Sequence, residues 1–399
     1  MNSSPLYQQV ETLPDLVSNL LFESANGSNL QHRINQAFPP ELCRQLGRVY
    51  ITGCGDSYHA ALNAELAFEQ FAGLPCEPQA AMQFSRYTTP FLTNNSDFID
   101  LVIGVSVSGK VSRTIEAIEL AKQAGILTVA VTGDQTAPLG RLVERVLDPQ
   151  VPSLPPQQKG QIYPGARSYV ASQLSLFLIA IHLGHQRGHL DAIVANKLRQ
   201  ELVEMADLME QTIALCAAPA KEAAIAWRTA MNFVFCGSGP NLGTAAFSAA
   251  KMLEASGDEA IAQDMEEWAH LQYFAREEGT PTILISAAQR DADRTLEIAT
   301  AATKIGRQVG FVAPESSKLA HSADKDFLFP LAGNTREAFS PLVACLPGLL
   351  FASYRTDLIG ERYFRDFGGG RSIIGGGGIS RIQTSHRLRT LSSLRQSEE

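Results

Sequence analysis

The chain has 399 residues, 45% of them hydrophobic and 19% charged, which is enough for two ordinary domains and too apolar for a disordered chain. A net charge of −8 argues against a broad basic face, so no nucleic-acid partner is expected. The six cysteines (Cys43, Cys54, Cys76, Cys216, Cys236, Cys345) show neither CxxC nor zinc-ligand spacing and read as reduced core thiols. The start, MNSSPLYQQVETLP, lacks the basic and apolar regions of a signal peptide. The longest apolar stretch, read as LSLFLIAI, is far shorter than the roughly 20 residues that cross a bilayer. A cytoplasmic protein without a membrane partner is the expectation.

Residues 1–47 read as a helical N-terminal segment. RVYIT then reads as a short buried strand, GCGDS as a turn, and YHAALNAELAFEQFAG as a helix stopped at Gly73. DLVIGVSVSG is strand and turn again, RTIEAIELAKQAG a helix ended by Gly125, and ILTVAVT a further strand. This alternation is the signature of a parallel sheet with crossover helices. The proline-rich link VPSLPPQQKGQIYPG leads into a long apolar and charged stretch expected to form bridging helices. The first pattern then returns. NFVFCGSGPNLGTAAFSAAKMLEASG echoes VYITGCGDSYHAALNAELAFEQFAG, TPTILIS echoes DLVIGVS, and DRTLEIATAATKIG echoes SRTIEAIELAKQAG. Gly55 to Gly239 is 184 residues and Gly125 to Gly306 is 181, two near-equal offsets that argue for a duplicated α/β domain. The end, FGGGRSIIGGGGISRIQTSHR, is rich in glycine and is expected to be a flexible tail or a lid.

The copies differ at their second turn, SVSGKVSRT in the first and SAAQRDADRT in the second, so the hydroxyls belong to the first. Ligands of parallel α/β sheets bind beyond the carboxyl ends of the strands, where helix starts offer free N–H groups and partial positive charge. Ser57, Ser106, Ser108 and Thr114 could add neutral donors, holding a phosphate without a basic cluster; the alternative is that these serines only cap helices. Lys251 and Glu254 lie three apart on one helix face, and His270 follows 16 residues after Glu254. On the residues alone, Glu254 could be a solvated helix residue and His270 a core histidine. His182, His185 and His189 have metal-like spacing but read as surface or packing histidines, and no metal or cofactor is expected.

These motifs resemble, in order, those of the sugar isomerase (SIS) family of phosphosugar-binding proteins. Within it they are similar to the isomerase half of glutamine–fructose-6-phosphate aminotransferases and to related isomerases, deaminases and deglycases. GCGDS resembles the family's CGTS loop, SVSGKVSRT its SQSGETADT phosphate loop, and GARSYVASQ its GVASTKAFTTQ segment. SAAKMLE resembles ALKLKE and EEWAH resembles ELKH. The resemblance spans roughly residues 48–360. It implies two tandem flavodoxin-like, three-layer α/β/α domains with parallel sheets, divided as 1–47, 48–150, 151–227, 228–360 and 361–399. It implies phosphate or sugar contacts from Gly55, Asp56, Ser57, Ser106, Val107, Ser108, Gly109, Arg167 and Ser168. It also implies catalytic roles for Glu254, Lys251 and His270, with Glu254 moving a proton between C1 and C2. His270 would open the sugar ring from the neighbouring subunit of a homodimer.

The departures are specific. Asn2 stands where a glutaminase half would carry its cysteine, and no lysine follows Lys325 to form the Schiff base of the family's aminotransferases. Val107 and Val111 replace a glutamine and a threonine of the phosphate loop. The expected function is action at C1/C2 of a sugar phosphate or amino-sugar phosphate, as isomerase or as deaminase or deglycase. The rival is a sugar-phosphate-binding regulator without catalysis.

Overall fold

The computed structural model describes residues 4–22, 29–92, 98–153, 163–372 and 384–388. Four short helices open the chain: α1 (Pro5–Glu11), α2 (Leu13–Leu21), α3 (Leu30–Ala37) and α4 (Pro40–Gln45). Next come β1 (Leu46–Gly53), α5 (Asp56–Ala67), β2 (Cys76–Ala80), the single turn α6 (Ala81–Gln83), β3 (Ile99–Val105), α7 (Ser112–Gln123), β4 (Leu127–Val131), α8 (Pro138–Leu142) and β5 (Arg145–Leu147). Two longer helices follow, α9 (Arg167–Gln186) and α10 (Ala192–Ala226). The second copy comprises β6 (Asn232–Gly237), α11 (Pro240–Ala255), β7 (Glu259–Gln263), α12 (Met265–His270), β8 (Pro281–Ile285), α13 (Ala292–Lys304), β9 (Gln308–Pro314), β10 (Phe327–Leu331) and α14 (Pro341–Ile359).

The residues form two compact units, each assembled from three stretches of chain. The β1 unit takes Leu20–Val151, Ser175–Arg199 and Phe367–Glu399; the β6 unit takes Met1–Asn19, Pro152–Leu174 and Gln200–Asp366. Each holds one five-stranded parallel sheet, ordered β2-β1-β3-β4-β5 in the first and β10-β9-β8-β6-β7 in the second. Read from the other edge, the second order is β7-β6-β8-β9-β10, the same topology as the first. The duplication extends to single dihedrals. Gly55 before α5 has φ 54°, ψ −131°, and Gly239 before α11 has φ 53°, ψ −129°, a conformation that only glycine adopts without strain.

Central strands are covered on both faces and so read as continuous apolar runs: LVIGV in β3 and PTILI in β8 are buried throughout. The edge strands β2 and β7 escaped the sequence reading. CEPQA and EAIAQ carry charge, and Pro78 lacks a ladder N–H, which suits an edge and hides the strand. The six cysteines are all free thiols, five of them buried. Burial pushes Cys43 up to about 11 and Cys345 up to about 12, so these thiols stay protonated.

Helix α14 is long and apolar enough to cross a bilayer, which the reading of LSLFLIAI as the longest apolar stretch did not register. Its apolar window is 78% buried in the β6 unit, where a helix apolar on every side belongs. A Cβ on Gly348 would come within 2.3 Å of Ser248 Oγ, so glycine permits the close crossing with α11. One buried cation anchors α14. Arg355 donates from Nε to Asp258 (2.8 Å), and from its Nη atoms to Asp258 and to the carbonyls of Trp227, Arg228 and Ala230. Removing it takes the charged donor from the Asp258 carboxylate and one donor from each of three carbonyls, of which Trp227 O also accepts from the Ala230 amide. Arg355→Met is therefore expected to destabilise the protein by about 3–5 kcal/mol in urea unfolding. A loss below about 1 kcal/mol would contradict this account.

Candidate active site

The predicted site residues fall into two groups, one in each unit. In the β1 unit, α5 and α7 start at the carboxyl ends of β1 and β3, which are neighbours in the sheet. The chain leaves these strands in opposite directions, so this is the topological switch point where open α/β sheets take ligands. Neither 12-residue helix is capped by the side chain of the residue before it, Gly55 or Val111, although the Ser57 and Tyr58 amides of α5 donate to Cys54 O and Gly55 O; both starts carry the partial positive charge of a helix N-terminus. Two hydroxyls beside them are buried without a hydrogen-bond partner: Thr52 Oγ1 at the end of β1 and Ser106 Oγ just beyond β3. Ser106 is 1% exposed, and an unsatisfied buried hydroxyl is costly.

The loop around Ser106 is held by backbone bonds. Ser106 N donates to Val131 O, Gly109 N to Ser106 O, and Gly133 N to Val107 O, at 3.0–3.1 Å. Gly109 has φ 61°, and a Cβ there would meet that of Ala137 at 2.7 Å. Val107 and Ser108 are exposed, with the Lys110 amide donating to Ser108 Oγ. On α5, Asp56 lies 3.8 Å from Nδ1 of His59, a residue the sequence reading passed over. Its signal was present, three residues from Asp56 and on the same helix face. Farther into α7, buried Glu116 pairs with Arg86 and Arg113 and accepts from Ser385 of the tail (3.0 Å).

The second copy shows why its equivalent turn differs. Ser286 follows β8 as Ser106 follows β3, and its amide donates to Val312 O of the next strand at 3.0 Å. Its hydroxyl, however, donates to the carboxylate of Asp291 at 2.7 Å. The second copy thus keeps a serine at this point and gives its hydroxyl a carboxylate partner. Burial raises the pKa of that carboxylate. Among the described residues, the uncompensated arrangement belongs to the first copy alone.

The β6 unit carries the second group. Lys251 on α11 is fully buried, and its Nζ lies 2.5 Å from Glu254 Oε2 and 3.3 Å from Gly165 O. The ammonium also sits 4.8 Å from the ring centre of Phe247, which stacks on Tyr169 at 3.6 Å. The Glu254 side chain is 31% exposed, so its carboxylate is fixed by Lys251 yet reachable. The GARS segment thus joins this group through Gly165 rather than through a side chain.

Arg167 faces elsewhere. Its Nη1 donates to Thr12 Oγ1 (2.6 Å) and its Nη2 to Pro152 O (3.1 Å), while Gln9 Oε1 accepts from the amides of Ala166 and Arg167. Ser168 accepts at its carbonyl from Ser172 Oγ. His270, 67% exposed on α12, pairs with Glu266 at 3.1 Å rather than with Glu254. Of the three spaced histidines, His182 Nε2 meets Phe38 O (2.7 Å) and His189 Nε2 meets Gln70 O (3.2 Å), which are packing contacts. Residues 373–383 and 389–399 of the glycine-rich tail lie outside the described residues.

Residues 42–181 match the family model of the SIS domain. A glutamine–fructose-6-phosphate aminotransferase of Gloeobacter violaceus is 27% identical over 334 residues, covering 81% of this chain and 52% of its own length. The chain spans about half the length of the curated relatives it matches. Among solved structures, the C-terminal domain of the glucosamine–fructose-6-phosphate aminotransferase of Francisella tularensis superposes with a TM-score of 0.77 at 18% identity. It covers 89% of this chain and 96% of its own. The tagatose-6-phosphate ketose/aldose isomerase of Escherichia coli gives 0.69 at 15% identity, covering 90% and 94%. The chain thus matches the SIS domain over residues 42–181 and has the duplicated α/β fold shared by these two structures.

Proposed function

We propose that the protein interconverts the aldose and ketose forms of a sugar 6-phosphate. The observation that carries this reading is the unpartnered Ser106 hydroxyl between two uncapped helix starts, present in one copy and filled by Asp291 in the other. It is the arrangement expected where a tetrahedral dianion supplies the missing acceptors. In this reading Glu254 takes the proton from C2 of the open-chain aldose and returns it to C1. Lys251 stabilises the negative charge that develops on the enediol oxygen. Two copies pair, and His270 protonates the ring oxygen in its neighbour's site.

The test has two arms. Hexose and hexosamine 6-phosphates are screened by thermal shift, and those that bind are incubated in heavy water and followed by NMR. Deuterium at C1 or C2 together with the isomeric sugar is the expected result. Exchange with release of ammonia would assign deamination instead. Binding without exchange would overturn the enzyme reading in favour of a sensor.

A further inference from the structure

The carbonyls at the end of α11 are all accounted for, and three of them by one side chain. Met252 O accepts from the amides of Ser256 and Gly257, and Gly257 has φ 77°, the usual left-handed close of a helix. The next three carbonyls have no amide within the helix to bond. Arg365, beyond α14, takes all of them: Nη1 donates to Leu253 O (2.7 Å), and Nη2 to Glu254 O (2.7 Å) and Ala255 O (2.9 Å). A Cβ at position 257 would lie 2.1 Å from Arg365 Nη1, so glycine there also makes room for the guanidinium.

The chain accepts an unfavourable backbone to deliver this group. Phe364, Arg365, Asp366 and Phe367 have φ of 53°, 54°, 52° and 51°, a left-handed run of four non-glycine residues. L-residues avoid that region, and a run of it persists only where surrounding contacts over-determine it. What it delivers is a planar cation on the negative end of the helix that carries Glu254.

We propose that Arg365 is a positioning residue for Glu254, fixing the end of α11 through its last three carbonyls and offsetting the negative end of that helix. The proposal rests on the reading of Glu254 as the proton carrier. Glu254 is held from its side chain by Lys251 and from its backbone by Arg365. Without Arg365, the last turn loses three hydrogen bonds and the cation that offsets the negative end of the helix. A carboxylate in the last turn of a helix whose negative end is uncompensated titrates at higher pH, and one displaced by about 1 Å transfers protons far more slowly.

Arg365→Gln and Arg365→Lys are compared with the wild type in the full chain, each checked for folding by circular dichroism. In Arg365→Gln, turnover is expected to fall about tenfold, with the Michaelis constant for the sugar phosphate within about twofold. The acid limb of the turnover profile should move up by about half a pH unit or more. Arg365→Lys, which keeps the charge and loses the planar fork, should restore the acid limb and only part of the turnover. A lost helix cap alone would lower the active fraction without moving that limb.

The titration of Glu254, followed in protein with 13C-labelled glutamate carboxyls, gives the same comparison without turnover. Its midpoint should rise in Arg365→Gln and return in Arg365→Lys. An unmoved midpoint with wild-type kinetics would overturn the proposal. Wild-type exchange at C1 and C2 by Glu254→Gln would instead overturn the reading beneath it, and the titration would still report on Arg365.

Discussion

Glu254→Gln is expected to lower turnover by about a hundredfold or more while leaving the Michaelis constant within a few-fold. The substitution keeps the shape of the side chain and its contact distance to Lys251 Nζ, now 2.5 Å from the carboxylate. What it removes is the ability to accept a proton. Sugar-phosphate binding should survive, because the donors proposed for the phosphate lie at the ends of β1 and β3 and do not involve α11. Deuterium uptake at C1 and C2 should disappear together with turnover. The amide also takes from the buried Lys251 ammonium the carboxylate 2.5 Å away, so some loss of stability is expected alongside. Unfolding in urea separates that loss from the loss of chemistry. Exchange at the wild-type rate in a folded variant would show that another group carries the proton.

The double variant Ser106→Ala, Ser108→Ala should weaken sugar-phosphate binding by about 2–3 kcal/mol, on the order of a hundredfold in Kd. The same change is expected to leave the ligand-free protein as stable as before or slightly more so, since the Ser106 hydroxyl is buried with nothing to bond. Opposite signs for affinity and stability mark a group kept for a ligand rather than for the fold. Calorimetry with a hexose 6-phosphate and its unphosphorylated sugar gives the first sign, and urea unfolding the second. Equal affinity of the wild type for the two sugars would remove the phosphate site. A stability loss of 2 kcal/mol or more in the ligand-free variant would return Ser106 to the fold.

Much of the architecture was legible because the features that announce it are local. The glycine pairs, the fully apolar central strands and the near-equal offsets all lie within short windows, and each follows from one backbone requirement. The edge strands were not legible, since Pro78 and the charges of β2 and β7 carry no strand signal once the ladder is one-sided. At the site, the hydroxyl loop and the Lys251–Glu254 spacing could be read from helix starts and helix faces. The role of Asp291 lay partly in view: the sequence of the second turn shows its aspartates, and only the structure shows one of them on Ser286. The orientation of Arg167 toward Thr12 and Pro152 depends on contacts more than 150 residues away for Thr12, which no window contains. Arg365 was the least legible of all. Nothing in YFRDF favours a left-handed turn, and its partners at the end of α11 are 110 to 112 residues earlier.

The contacts of α14 also constrain how the chain can fold as it is made. Ser4 Oγ and Ser353 Oγ lie 2.5 Å apart in the β6 unit across 349 residues of sequence, and Tyr7 packs on Tyr354 with ring centres 5.7 Å apart. The first helix synthesised therefore waits for the last. Until α14 has been made, α11 lacks the helix that covers it and the apolar side of α1 has no partner. The sheet of the β1 unit is complete by Leu147, although Ser175–Arg199 and the tail residue Ser385 join that unit later. Loop closure over so long a separation is slow compared with local helix and strand formation. The two copies of one fold thus differ in timing: the sheet of the β1 unit can form early on the nascent chain, while the unit carrying Glu254 stays open, with apolar surface exposed to chaperones, until synthesis is nearly finished.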